Sequence, residues 1–223
     1  MKYAFTMIEL IFVFVVIGII AAVIIPRTNA DPLQKAALQL VADIRYTQHL
    51  ALIDDKYDNE DSIWYKKRWQ LAFGKPANAG GKYAYTIYSD YIGNSSGDAD
   101  EDEIARNPQN IDQIMTGGHN GSVYMDINHK KFRGMKKLNL GLSYGVTNIA
   151  MSSSCKVSGS TRIAFDHLGR PIKGKLGSSN GGGNTEAYEN NNLIQTSCNI
   201  ILSNTTQSVT ITVLPETGYV FIN

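Results

Sequence analysis

A run of carboxylates in the middle of the chain has the residue types of a metal site. It lies in the segment "SDYIGNSSGDADEDEIA" (89–105), where acidic side chains follow a glycine-containing turn at nearly alternate positions. Carboxylates are hard oxygen ligands of the kind that Ca²⁺ binds, and Asp90 or Asn94 would add further oxygens. The alternative is a solvated acidic loop that binds no ion. We therefore predict a candidate calcium site whose ligands are Asp98, Asp100, Asp102 and Glu103.

A second charged segment, "HKKFRGMKK" (129–137), is rich in lysine and arginine. Its simplest explanation is an exposed hairpin whose cationic edge discourages aggregation. The functional alternative is contact with acidic partners or with nucleic acid. Because the chain of 223 residues has a formal net charge of only +1, the sequence argues against a general nucleic-acid-binding role.

The sequence gives little support to catalytic chemistry. HExxH and the phosphate-binding P-loop are absent, and the 4 histidines lack metal-ligand spacing. We therefore predict that the protein is not an enzyme. The 2 cysteines, Cys155 and Cys198, do not make a zinc knuckle. If the domain lies outside the cytosol, we expect them to form one disulfide between two late strands.

The elements that position these groups begin with an apolar N-terminal segment, "FTMIELIFVFVVIGIIAAVIIPR" (5–27). As a helix rising about 1.5 Å per residue, residues 5–25 extend roughly 32 Å, against a hydrocarbon core of about 30 Å. A single membrane span is therefore expected, with Lys2 favouring a cytoplasmic N-terminus. The alternative is a secretory signal peptide cut after "TNA" (28–30). The carboxylate of Glu9 is energetically unfavourable in either kind of apolar segment, and we therefore expect it to have a partner.

Residues 4–27 resemble the N-terminal signal of type IV pilins and type II secretion pseudopilins. Members of that family have a short basic leader, a cut before an N-methylated Phe, then a Glu and a Pro, which Phe5, Glu9 and Pro26 match. Ala4 stands where the family usually has Gly. The resemblance implies cleavage and methylation at Ala4 and Phe5. It also implies that Glu9 pairs with the amine of a neighbouring subunit, rather than only reaching toward the membrane surface.

Beyond Pro26, "DPLQKAALQLVADIRYTQHLALI" predicts an amphipathic helix, with Asp31 as its N-cap and Pro32 at its first position. Pro26 and Pro32 flank an expected kink or non-helical joint. The later chain is rich in β-prone runs separated by Gly, Asn and Ser, which favours antiparallel sheets. Those runs are 68–73, 83–92, 122–127, 138–145, 160–166, 193–202, 208–214 and 218–222.

The closing segments "IAFDHLGRPI" (163–172) and "VTITVLPETGYVFIN", with "ALQLVADIRYTQHLAL" (37–52), resemble minor pseudopilins of the GspH/FimT type. The predicted fold is α+β, pilin-like: a long N-terminal helix, half in the membrane and half in the domain, packed on an antiparallel β-sheet. Its predicted parts are a leader (1–4), a transmembrane and assembly helix (5–26), an amphipathic helix (27–53) and a periplasmic β-rich domain (54–223).

The resemblance implies a structural minor pseudopilin of a type II secretion or type IV pilus-like filament. Its expected partners are other pilins or pseudopilins, the filament assembly machinery, a prepilin peptidase and methyltransferase, and the bacterial inner membrane, with the domain in the periplasm. The alternative within the same filament class is a pilus-tip adhesin or a DNA-uptake subunit. Calcium is the one cofactor that the sequence suggests.

Overall fold

The computed structural model describes the residues 6–24, 31–92, 97–157, 160–174, 176–177, 186–188 and 192–223. The chain divides into two compact units, Met1–Asp31 and Pro32–Asn223. The first contains one helix, and the second is an α+β domain with antiparallel sheets.

Helix α1 of the first unit covers Met7–Ile24, which is 18 residues of almost uninterrupted apolar sequence. It begins after Thr6, which is followed by Glu9 in the first turn. In the part of the chain that the structure describes, none of the helices combines the length and the apolar character needed to cross a membrane. Eighteen residues extend only about 27 Å, and Glu9 occupies part of that length.

The prediction of one long N-terminal helix, half in the membrane and half in the domain, is therefore wrong. α1 ends at Ile24, and the helix that packs on the sheets is a separate element, α2 (Pro32–Ile53), in the other compact unit. Proline lacks a backbone N–H and fits the first turn of a helix far better than its interior, so a new helix begins at Pro32.

α2 is held in the domain by one apolar face. Its buried residues follow the three- and four-residue spacing expected of an amphipathic helix. They contact strands of both four-stranded sheets, so that α2 and the sheets share one hydrophobic core. The buried residues are Leu33, Ala36, Ala37, Leu40, Val41, Asp43, Ile44, Thr47 and Ala51.

Ten antiparallel strands form three sheets in the described residues. The first has the order β2-β1-β6-β7, the second β10-β9-β8-β5, and β3 pairs with β4. In β8 alternate residues are buried, and Ile200 lies opposite Ile211 of β9 on the core side. The strands are β1 (Gln70–Gly74), β2 (Ala84–Tyr88), β3 (Arg106–Asn107), β4 (Asn110–Ile114), β5 (Asn148–Met151), β6 (Arg162–Phe165), β7 (Pro171–Lys173), β8 (Cys198–Ser203), β9 (Ser208–Val213) and β10 (Val220–Ile222).

Two of the β-prone runs are not strands. Residues 138–145 contain the short helix α3 (Leu140–Tyr144), and residues 122–127 contain a 3₁₀ turn, Val123–Met125. Side-chain caps explain both: Asn139 accepts a hydrogen bond from N of Leu142, and Oγ of Ser122 accepts one from N of Tyr124. Local hydrogen bonding therefore prevails over β propensity in these two segments.

Candidate functional site

The surface of α1 is apolar on every side. Its described side chains, residues 7–21, are all exposed, including Phe12 at 69% and Phe14 at 65%. A helix that is apolar all round normally lies inside an apolar environment. The described side chains of α1 therefore form an exposed apolar surface.

Glu9 lies at the start of this surface and forms a capping box with Thr6. Oε2 of Glu9 accepts hydrogen bonds from N of Thr6 at 3.0 Å and from Oγ1 of Thr6 at 2.9 Å. N of Glu9 in turn donates to Oγ1 of Thr6 at 3.3 Å. These bonds satisfy donors that the first turn of a helix leaves without partners. The sequence analysis missed this role, although Thr-x-x-Glu before an apolar run is the pattern of a capping box.

Three predicted positions of the N-terminal motif, Ala4, Phe5 and Pro26, lie outside the described residues. Their cleavage, methylation and kink stay predictions. The fourth, Glu9, lies in the first turn of α1. Its pairing with a neighbouring subunit also stays a prediction.

The acidic segment uses one of its buried carboxylates, that of Glu103, to bind its own backbone. Glu103, which is 1% exposed, accepts hydrogen bonds from N of Ile92 at 2.6 Å and from N of Asp100 at 2.9 Å. Asp98, Asp100 and Asp102 are exposed. Among the described residues, no three His, Cys, Asp or Glu side chains group so as to hold a metal ion. The calcium site stays a prediction, and Asn94 lies outside the described residues.

Asp90 is a second, fully buried carboxylate of the same segment. Its Oδ2 accepts a hydrogen bond from N of Gly97 at 2.5 Å. Burial raises the pKa of Asp90 to about 6, and the nearby charge of Glu103 acts in the same direction. Two acidic groups with little contact with water therefore lie close together here, and Asp90 takes up a proton at a higher pH than an ordinary aspartate does.

Cys155 and Cys198 form a disulfide in the structure, with a Cα–Cα distance of 5.2 Å. Cys198 is the first residue of β8, whereas Cys155 lies in the turn after β5 rather than in a strand. Both are buried, at 0% and 1% exposure. The bond therefore fastens the turn beyond an edge strand to the interior of its own sheet.

The basic segment 129–137 consists of turns rather than the expected hairpin. Lys130, Lys131 and Lys136 are exposed. Arg133 is engaged within the domain, since it lies 3.4 Å from a carboxylate oxygen of Glu101 and donates to the carbonyl of Asp112. Its charge is therefore partly balanced, which weakens the segment as a surface for acidic partners.

A buried polar contact joins α2 and β2, and no pattern in the sequence indicates it. Oη of Tyr85 donates a hydrogen bond of 2.6 Å to Oδ2 of Asp43, which also accepts one from Nε2 of Gln39. Burial raises the pKa of the Asp43 carboxyl, and it raises that of the Tyr85 hydroxyl strongly. The hydrogen bond between the two side chains joins α2 to β2 within the core.

Comparison of the chain with models of protein families, with curated proteins and with solved structures finds no match.

Proposed function

We propose that the protein is a structural subunit of a filament of the type IV pilin and pseudopilin kind, a minor pseudopilin that assembles through α1. The observation that carries the proposal is the apolar surface of α1, whose described side chains are exposed on all sides. Such a surface is stable in water only when other apolar groups cover it. Copies of α1 from neighbouring subunits offer a cover of the same length and chemistry.

The carboxylate of Glu9 supports assembly of this kind. Both hydrogen bonds described for it use Oε2, which leaves Oε1 for a partner. Removal of residues 1–4 would create an amine at Phe5, and a staggered neighbour would bring its own amine to Glu9. Pairing the two charges removes the cost of burying each alone in an apolar bundle.

The disulfide supports an exported domain, since such bonds persist in oxidising compartments. An exported filament subunit with this N-terminal motif would have a prepilin peptidase, a methyltransferase, an assembly machinery and other pilins or pseudopilins as partners. The first compact unit would then provide assembly, and the second would form the outer surface of the filament.

Cysteine crosslinking tests the proposal directly, because both native cysteines are in the disulfide. We expect Val13→Cys in the full chain, produced with a prepilin peptidase, to form disulfide-linked dimers through α1. Lys130→Cys, on the exposed basic segment, is the matched control and should give few. Absence of dimers at Val13 and at two further α1 positions, at normal protein levels, would contradict assembly through α1.

N-terminal mass spectrometry of the same protein tests the processing step. A chain that starts at N-methyl-Phe5 is expected. A chain that starts at Asp31 would instead identify a secretory signal peptide, and α1 would then be absent from the mature protein.

A further inference from the structure

A groove of the domain lies on the face of β1 and β2 that carries small side chains. Its volume is about 500 Å³, within the range of about 300–1,000 Å³ that small-molecule sites occupy. Two cross-strand pairs, Ala72 with Thr86 and Gly74 with Ala84, form the floor. Because these side chains are small, they rise little above the strands. The groove therefore has room for a peptide chain close to the sheet.

Loops form the two walls of this groove. Residues 97–100 of the acidic segment form one wall, and residues 118–121 form the other. Gly118 allows close packing of the second wall, since a Cβ there would lie 2.6 Å from Cα of Ala79. The walls therefore come from different parts of the chain and are fixed by packing.

Arg162 of β6 lies beside the floor, opposite Ala72. Its Nη1 donates hydrogen bonds to Oη of Tyr88 at 2.9 Å, to the carbonyl of Gly97 at 2.9 Å and to Oε1 of Gln70 at 3.3 Å. All the hydrogen bonds described for this guanidinium come from Nη1. Its orientation is thus fixed by the fold, while Nε and Nη2 remain available for an acceptor in the groove.

The charges of the groove differ between its two ends. Lys75 follows the Gly74 end of β1, and His119 lies on the same side, since the carbonyl of His119 accepts a hydrogen bond from Asn78. Asp98 and Asp100 lie at the other end, near Tyr88, whose hydroxyl donates to the carbonyl of Gly97. From Gln70 to Gly74 the strand rises about 13 Å. The groove therefore matches a ligand of the length of a short peptide that carries opposite charges at its two ends.

We propose that this groove binds a short extended peptide with free termini. The ammonium group lies toward Asp98 and Asp100, the carboxylate lies toward Lys75, and a peptide carbonyl accepts from Arg162. A sheet floor of Ala, Gly and Thr suits a peptide backbone, which fills the space with little side-chain volume. The proposal concerns the second compact unit alone and does not depend on assembly through α1.

Calorimetric titration of the full chain in detergent micelles with trialanine tests the proposal. We expect saturable binding, and N-acetylation or C-terminal amidation of the peptide should each weaken it by about fivefold, as expected for losing one exposed ion pair. Ala72→Leu fills the floor and should abolish binding. Ala150→Leu, at a similarly half-buried strand position in β5, is the matched control and should retain it.

A surface variant covers the case in which Ala72→Leu does not fold. Lys75→Gln should weaken the binding of trialanine by about fivefold and leave the binding of the amidated peptide unchanged. Lys35→Gln, at an exposed position of α2, should change the binding of neither peptide. The proposal is overturned by no saturable heat with trialanine, by equal binding of a peptide blocked at both ends, or by unchanged binding to folded Ala72→Leu.

Discussion

Thr6 and Glu9 cap the start of α1 reciprocally, with Oε2 of Glu9 accepting from N of Thr6 at 3.0 Å and N of Glu9 donating to Oγ1 of Thr6 at 3.3 Å. Glu9 therefore has a local role in addition to the proposed pairing between subunits. The two roles need different chemistry, because a capping box accepts either Glu or Gln at this position. Pairing with an amine, in contrast, requires the negative charge.

The disulfide should contribute strongly to the stability of the domain. Its cysteines are 43 residues apart, for which the chain-entropy model gives about 4 kcal/mol. We expect the double variant Cys155→Ala with Cys198→Ala to lower the free energy of unfolding by about this amount. Urea unfolding under non-oxidising and non-reducing conditions measures it. Reduced wild-type protein should behave like the variant, and a loss below about 1 kcal/mol would contradict the expectation.

Tyr85→Phe should destabilise the domain by about 1–3 kcal/mol, because it removes a donor from the buried carboxyl of Asp43. The control is Tyr91→Phe, which removes a hydroxyl that donates to a backbone carbonyl from a ring that is 46% exposed. Its effect should stay within about 0.5 kcal/mol. Equal effects of the two changes, measured by urea unfolding, would show that the contact between α2 and β2 is not important for stability.

Asp90 should make the protein more stable as the pH falls from 7 to 4. Its pKa is about 6 in the folded chain, against about 3.9 in an unfolded one. The resulting stabilisation is complete below the unfolded value and is lost as the pH rises through 6; it amounts to at most about 3 kcal/mol. Burial also raises the pKa of Asp43, which acts in the same direction.

Asp90→Asn isolates this contribution, because the amide imitates the uncharged carboxyl. We expect a smaller rise of the unfolding free energy between pH 7 and pH 4 in Asp90→Asn than in wild type. Asp112→Asn, at an exposed position, should keep the wild-type slope. Parallel slopes of wild type and Asp90→Asn would contradict the role assigned to Asp90.

Elements with a clear local pattern could be predicted from the sequence. Pro32 and the apolar spacing after it located α2, and the alternation in β8 and β9 located the centre of one sheet. Strands β3, β4, β5 and β7 were missed. β3 and β7 have only two or three residues and carry no period, β5 has four residues, and β4 is mostly polar and exposed. α3 was predicted as a strand because its β-prone side chains outweighed the cap of Asn139 and the left-handed Gly145, whose φ is 70°.

The sites were less predictable because they depend on long-range contacts. Nothing near Asp43 indicates that Tyr85 will reach it, and nothing near Arg162 indicates Tyr88 and Gly97 as its acceptors. From the sequence, Glu103 was predicted as a calcium ligand. In the structure, its carboxylate oxygens accept hydrogen bonds from the backbone N of Ile92 and of Asp100. The long helix was predicted wrongly because it rested on the resemblance to pilins, although Pro26 and Pro32 already indicated a joint between two helices.

Comparison of Glu9→Gln with Thr6→Ala, by crosslinking through Val13→Cys at matched protein levels, tests assembly through α1 most directly. Glu9→Gln keeps the capping box and removes the charge, whereas Thr6→Ala removes the side-chain cap and keeps the carboxylate. Charge pairing between subunits predicts a large loss of crosslinked product in Glu9→Gln and nearly wild-type product in Thr6→Ala. Wild-type product in Glu9→Gln, with a loss in Thr6→Ala, would contradict the pairing and leave Glu9 as a helix cap.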